Sequence, residues 1–202
     1  MVEKKVRQSQ SYQTVEGKLD SGQVAVEEPP STPWAKVNIN ISNFPDSRHK
    51  AILIDSCTKY PVVELIHSVR FSKIELMLEK VFASYGVPGE LRTSDDLPFQ
   101  SQDFKDYLNS LGIRHGRLPP SWDHTNGEGR QFKHALSRTL RIGEQRGEDA
   151  ENCLHRFLRA YRQTPHCITK CTPMDMLMRR STWDCIHTTE LPWQSATEDK
   201  RQ

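Results

Sequence analysis

Val37-Asn38-Ile39-Asn40-Ile41 alternates apolar and polar side chains, which predicts a half-buried strand. Ala51-Ile52-Leu53-Ile54 is a continuous apolar run and predicts a strand covered on both faces. Pro61 to Ile66 reads as a third strand. Its proline belongs at the strand start, because proline has no N–H to give to a central ladder. The period then changes. Ile74, Met77, Leu78, Val81 and Phe82 recur at three- and four-residue steps, the stripe of an amphipathic helix. Ser72 and Glu75 predict a capping box at its start, and Gly86 predicts its stop.

Pro88-Gly89 turns the chain into a short strand at Glu90-Leu91-Arg92. Ser101 is the expected cap of a second helix, with Phe104, Tyr107, Leu108 and Leu111 on one face and Gly112 at its end. Residues 113–118 predict a fifth strand, followed by a loop through Asn126-Gly127. A long helix is expected from about Gly129 to Arg146, buried through Phe132, Leu136 and Leu140. Another is expected over Ala150–Arg162, with Leu154, Phe157, Leu158 and Tyr161 inward, and a short one from Pro173. This order predicts an α/β fold with a mixed five-stranded sheet flanked by helices. Residues 1–32 are polar and aperiodic and read as a disordered leader. Residues 33–180 read as the folded domain and 181–202 as a loose tail.

The chain has 202 residues, with Lys+Arg 28 against Asp+Glu 26, a net charge of only +2. That balance does not mark out a strong phosphate binder by itself. No apolar run approaches the roughly 18 residues of a membrane span, so no membrane partner is expected. Without an apolar signal region, a nuclear or cytoplasmic location is expected. Five cysteines, an odd number without a secretory signal, read as free thiols. The spacing of His166, Cys167 and Cys171 matches no standard zinc pattern.

Several phrases, in order, carry a resemblance: residues 33–37 (PWAKV), 52–66 (ILIDSCTKYPVVELI), 81–93 (VFASYGVPGELRT), 98–115 (PFQSQDFKDYLNSLGIRH), 119–129 (PPSWDHTNGEG), 157–166 (FLRAYRQTPH) and 172–180 (TPMDMLMRR). Together they resemble the integrase catalytic core of gypsy-class LTR retrotransposons, related to retroviral integrases. The resemblance implies an RNase H-like fold. It also implies a Mg²⁺-dependent polynucleotidyl transferase that holds two ions about 3.5–4 Å apart on three carboxylates, since hard cations take anionic oxygen ligands. The family also carries an N-terminal zinc-binding module. Residues 1–32 contain neither His nor Cys and are not expected to form one.

The resemblance places those three carboxylates at Asn40, Ser94 and Arg130. The first-strand motif falls on Val37-Asn38-Ile39-Asn40-Ile41. The second falls without gaps on Thr93-Ser94-Asp95-Asp96-Leu97-Pro98-Phe99. The third falls on Asn126-Gly127-Glu128-Gly129-Arg130-Gln131. Thirty-five residues lie between Ser94 and Arg130, the spacing typical of the family. An amide, a hydroxyl and a guanidinium replace three acids, so no intact catalytic set, no metal site and no cofactor are expected. Two-metal catalysis should be abolished.

The reading that follows is a transposon-derived, catalytically inactive core with residual nucleic-acid or protein binding, possible partners being DNA and a second copy of the chain. Two alternatives stand beside it. One is active strand transfer at a site rebuilt around Asp95, one residue from Ser94, with Asp55. The other is a decaying reading frame with no selected function. The candidate nucleic-acid residues are Trp122, able to stack on bases, then Asn126, Arg130, Lys133 and Arg138. With Arg141 and Arg146, the basic residues of the long helix spread over an outer face that serves either as a solvated surface or as a phosphate contact.

Overall fold

The computed structural model describes residues 30–43, 49–96, 98–118 and 127–178. Trp122, Asn126, most of the expected leader and the expected tail lie outside them. The chain groups into two compact units, one over Glu27–Pro119 and one that includes Pro120–Gln202. Each is taken by itself.

The first unit holds a five-stranded sheet in the order β3-β2-β1-β4-β5. The strands are β1 (Lys36–Asn43), β2 (His49–Asp55), β3 (Pro61–Ile66), β4 (Glu90–Thr93) and β5 (Arg114–Arg117). β1, β2 and β3 form an antiparallel meander. β4 and β5 then add in parallel, β4 beside β1. Parallel neighbours need a crossover. Helix α1 (Phe71–Tyr85) supplies the first and α2 (Gln102–Ser110) the second.

α1 buries the expected stripe, Ile74, Met77, Leu78, Val81 and Phe82. Its start differs from the expectation. Arg70 is the N-cap residue and makes no side-chain cap, so Ser72 lies inside the first turn. Phe71 sets this earlier start by packing edge-on against Phe104 and Tyr107 of α2, with ring centroids 6.5 and 6.2 Å apart. At the other end Gly86 takes a positive φ of 90°, and its N–H bonds Phe82 O. The Gly86 carbonyl accepts from Trp34 Nε1 at 2.7 Å. Trp34 stacks on Tyr85, so the chain entering β1 is tied to the end of α1.

α2 starts as expected, with Ser101 Oγ accepting from the Phe104 N–H at 3.3 Å. Leu111 was expected on the inner face, but the helix ends at Ser110, and Leu111 becomes the C-cap and stays exposed. Phe104 and Leu108 carry the packing.

The second unit is helical: α3 (Glu128–Gln145), α4 (Ala150–Arg162) and α5 (Pro173–Met178). Phe132 of α3 meets Phe157 and Tyr161 of α4 edge-on, at centroid distances of 5.6 and 5.0 Å. Such aromatic pairs add to plain area burial. Further along, α3 approaches α4 so closely that a Cβ on Gly143 would collide with Cys153. Asp149 caps α4, accepting from the Asn152 N–H at 2.9 Å.

Candidate functional site

Side chains alternate between sheet faces, which sorts the first unit's chemistry. Thr93 of β4 and His115 of β5 share the face that meets the helices. Thr93 Oγ1 lies 2.8 Å from His115 Nε2, and the imidazole ring packs edge-on against Phe104 of α2. Burial, and then the nearby Lys105 charge, holds His115 below the ordinary histidine range.

The opposite face carries a polar row from β1: Asn38, Asn40 and Ser42. The alternation predicted a half-buried strand, but the structure buries both Asn38 and Asn40. Thr93 pairs in register with Ile39, so the residues next in line are Ser94 and Asn40. The two expected carboxylate positions of this unit therefore fall at the same end of the β1–β4 pair, Asn40 within β1 and Ser94 just past the last residue of β4. Asn38 Oδ1, Ser42 Oγ and Ser94 Oγ are buried and have no hydrogen-bond partner. Buried polar atoms are normally satisfied, so three such atoms around Asn40 set this strip apart from the rest of the sheet.

This donor set does not fit a pair of magnesium ions. An amide and a hydroxyl offer neutral oxygens, whereas tight sites use carboxylates. Among the described residues, no group of three or more His, Cys, Asp or Glu is arranged to hold a metal.

Asp95 and Asp55 are not brought together. Asp95 is exposed; its carboxylate faces Arg117 at 3.5 Å and accepts from Gln100 Nε2 at 3.3 Å. Asp55 is fully buried and closes the turn after β2, accepting from Thr58 Oγ1 at 2.6 Å and from the Thr58 and Cys57 N–H groups. Asp55 pairs with Val37 and Thr93 with Ile39. Asp55 is thus level with a position two residues before the Ile39–Thr93 pair, whereas Asp95 follows beyond the end of β4.

At the far end of β4 lies a charged cluster that the sequence reading did not single out. Buried Glu90 meets Arg92 Nε at 2.5 Å, Arg114 at 2.5 Å and Lys36 at 3.9 Å. Burial pushes its carboxyl upward, but the Arg92 hydrogen bond and charge, then Arg114 and Lys36, outweigh this and hold it below the usual carboxylate range. Gly116 makes room, since a Cβ there would sit 2.8 Å from Glu90 Oε1 and 2.9 Å from Arg92 Cγ. The available signal was the register: Glu90 and Arg92 share a face of β4, and Arg114 pairs with Glu90 on β5.

In the second unit, Arg130 lies exposed on the first turn of α3. Arg130, His134, Arg138 and Arg141 fall within about 80° of the helix circumference, opposite Phe132, Leu136 and Leu140. All four are exposed, and Lys133 at the edge of the group is half-buried. Glu144, also exposed, borders that arc three residues after Arg141. Tyr161, expected in the core, is buried there. His166 packs near it and accepts from the Ile168 N–H at 3.3 Å, a structural role.

No protein-family model matches the chain. Over 137 residues it is 26% identical to the uncharacterized protein K02A2.6 of Caenorhabditis elegans, and this stretch covers 68% of the chain. The chain spans only about a tenth of that relative's length, 11%. Among solved structures it is similar to the catalytic core domain of BIV integrase, with a TM-score of 0.57 at 13% identity, covering 72% of this chain and 95% of that one. It is also similar to the HTLV-2 integrase catalytic core domain in complex with magnesium, in its dimeric form, with a TM-score of 0.60 at 13% identity, covering 74% and 99%. A third is a chain of the simian T-cell lymphotropic virus intasome in complex with the PP2A regulatory subunit B56 gamma, with a TM-score of 0.63 at 16% identity, covering 89% and 65%. The chain therefore has the fold of the retroviral integrase catalytic core, a mixed five-stranded sheet of the RNase H-like class.

Proposed function

We propose that the protein is a retrotransposon-derived integrase core that binds nucleic acid without cutting or joining it. The observation that carries this reading is the exposed basic ridge of Arg130, Arg138 and Arg141 on α3, with His134 among them. It runs about 16 Å along the helix, enough to follow several backbone phosphates, one of which recurs about every 1.7 Å of duplex axis. The neutral pair Asn40 and Ser94 supports the loss of strand chemistry, because it leaves this unit without anionic metal ligands at the expected positions. The HTLV-2 core has a dimeric form, which supports a homodimer here as well.

Active strand transfer rebuilt around Asp95 and Asp55 is the weaker reading. Asp95 is turned toward Arg117 and Asp55 is committed to its own turn.

The test is fluorescence anisotropy of a short DNA duplex titrated with the full chain across a salt series. The expected result is salt-sensitive binding. The Arg138→Glu/Arg141→Glu variant should bind more weakly, with a salt slope flatter by about two, roughly one per lost phosphate contact. Unchanged affinity and slope in that variant would overturn the reading, and Mg²⁺-dependent nicking by the wild type would favour the enzyme instead.

A further inference from the structure

We propose that Cys167 and Cys171 form a redox-responsive dithiol, which a peroxide converts into a reversible disulfide across the turn that joins α4 to α5. The pair belongs to the second unit alone, and its chemistry does not depend on nucleic-acid binding. The turn is held by its own hydrogen bonds. The His166 carbonyl accepts from the Lys170 N–H at 2.8 Å, and the His166 N–H donates to the Cys171 carbonyl at 3.0 Å. Thr169 Oγ1 donates to that same carbonyl at 3.2 Å, and the Ile168 N–H donates to His166 Nδ1 at 3.3 Å. Lys170 takes a φ of 60°, a left-handed backbone that residues other than glycine seldom adopt. That bend brings the Cys171 carbonyl back to His166, so the chain is folded on itself between the two cysteines.

Residues four apart in one such turn have Cα atoms about 6 Å apart, inside the roughly 4.4–6.8 Å that a disulfide spans. Access to the two thiols is unequal: Cys167 is exposed and Cys171 is half-buried. Burial, then Asp175, holds the Cys171 thiol above its ordinary range. The thiolate is the attacking species, so the first step falls to Cys167. Its sulfur attacks one peroxide oxygen, the O–O bond breaks, and the other oxygen leaves as water. Cys167 is then a sulfenic acid. The Cys171 sulfur attacks the Cys167 sulfur, the S–O bond breaks, and a second water carries off the hydroxyl and the Cys171 proton. Two thiols and one peroxide thus give one disulfide and two waters. A bridge across so short a loop removes little chain entropy, and exposed bridges are the readily reduced kind. A thiol reductant therefore restores the pair.

The experiment treats the reduced full chain with hydrogen peroxide, blocks the remaining thiols with N-ethylmaleimide, and reads tryptic peptides by mass spectrometry without reduction. Trypsin cuts after Arg162, Lys170 and Arg179. The two cysteines therefore fall on separate peptides, 163–170 and 171–179, which only a disulfide joins. The joined peptides should come from single chains on a non-reducing denaturing gel, and dithiothreitol should part them. In Cys171→Ser, checked by circular dichroism for folding, Cys167 has no resolving partner, and its sulfenic-acid labelling by dimedone should rise severalfold over the wild type. In Cys167→Ser, Cys171 should stay reduced and take up N-ethylmaleimide; this second variant carries the test if the first does not fold. Absence of the joined peptides in the wild type, or equal dimedone labelling of wild type and Cys171→Ser, overturns the inference. So does a Cys167 disulfide to Cys185 or to a second chain in place of the joined pair, or Cys171 oxidation in Cys167→Ser as fast as in the wild type.

Discussion

Asn40 of β1 and Ser94, the first residue past the end of β4, each follow by one residue the paired Ile39 and Thr93. The relation sets the meaning of the neighbouring acid. Asp95 lies one residue beyond Ser94, past the end of β4, and its carboxylate is exposed and meets Arg117. An acid adjacent in sequence is thus displaced in space from the place where an acid would matter.

Gly116→Ala should destabilise the sheet unit by about 1–3 kcal/mol, the usual cost of overpacking. The new methyl would meet Glu90 and Arg92 at distances too short for ordinary contact. Urea denaturation measures this, and an unchanged midpoint would show that the cluster yields freely.

Glu90→Gln should also destabilise the protein, by about 1–3 kcal/mol at neutral pH, because Lys36, Arg92 and Arg114 lose their carboxylate partner. The pH dependence has a definite sign. The folded Glu90 carboxyl is held below its ordinary value, so its contribution is present above the unfolded pKa and is lost as pH falls through the folded one. The stability difference between wild type and variant should therefore shrink as pH drops below about 4.5, near the ordinary glutamate value. A difference that persists into strong acid would contradict this.

His115 titrates in a higher window. Its folded pKa lies below the ordinary value, so the unfolded chain takes up a proton first and stability is lost as pH falls below about 6.5. His115→Gln should flatten that part of the stability–pH curve, as read from urea midpoints between neutral and mildly acidic pH. An equally steep decline in the variant would assign the effect to other groups.

Thiol reactivity should follow burial. Cys167 is exposed, while Cys153 is buried and donates to Glu148. Burial, then Asp55, pushes the half-buried Cys57 up to about 11, and only the thiolate is the nucleophile. Iodoacetamide labelling followed by peptide mass spectrometry should find Cys167 modified well before Cys153 and Cys57. Early modification of Cys153 would mean that α3 and α4 separate readily.

Leu78 is fully buried and Leu76, two residues earlier on α1, is 65% exposed. Leu78→Ala should cost about 2–5 kcal/mol, and Leu76→Ala less than about 0.5 kcal/mol. Thermal melts of the two variants test the register of the helix on the sheet.

The elements legible in the sequence were those whose boundaries are set locally. Pro61 opens β3 and Ala150–Arg162 forms α4 as expected, because a proline and an apolar period need no distant partner to be read. The capping box at Ser72 failed because Phe71 found Phe104 and Tyr107, contacts between two helices that no local window contains. Leu111 followed the helical period but fell at the helix end, where the period no longer applies. The positions Asn40, Ser94 and Arg130 were legible only through resemblance. The burial of Asn38 and Asn40 was not legible at all, since alternating polar residues ordinarily signal a solvent-facing side. The Glu90 cluster was hidden for a similar reason, because its charges come together only once β4 and β5 are in register.

The central claim, that the site's donors no longer take a divalent cation, is tested most directly by calorimetric titration of Mg²⁺ or Mn²⁺ into the purified chain, with thermal stability followed in parallel. No saturable heat and no change in melting temperature at millimolar metal is the predicted result. Saturable binding that disappears in Asp95→Asn would contradict the account and return Asp95 to a working metal site.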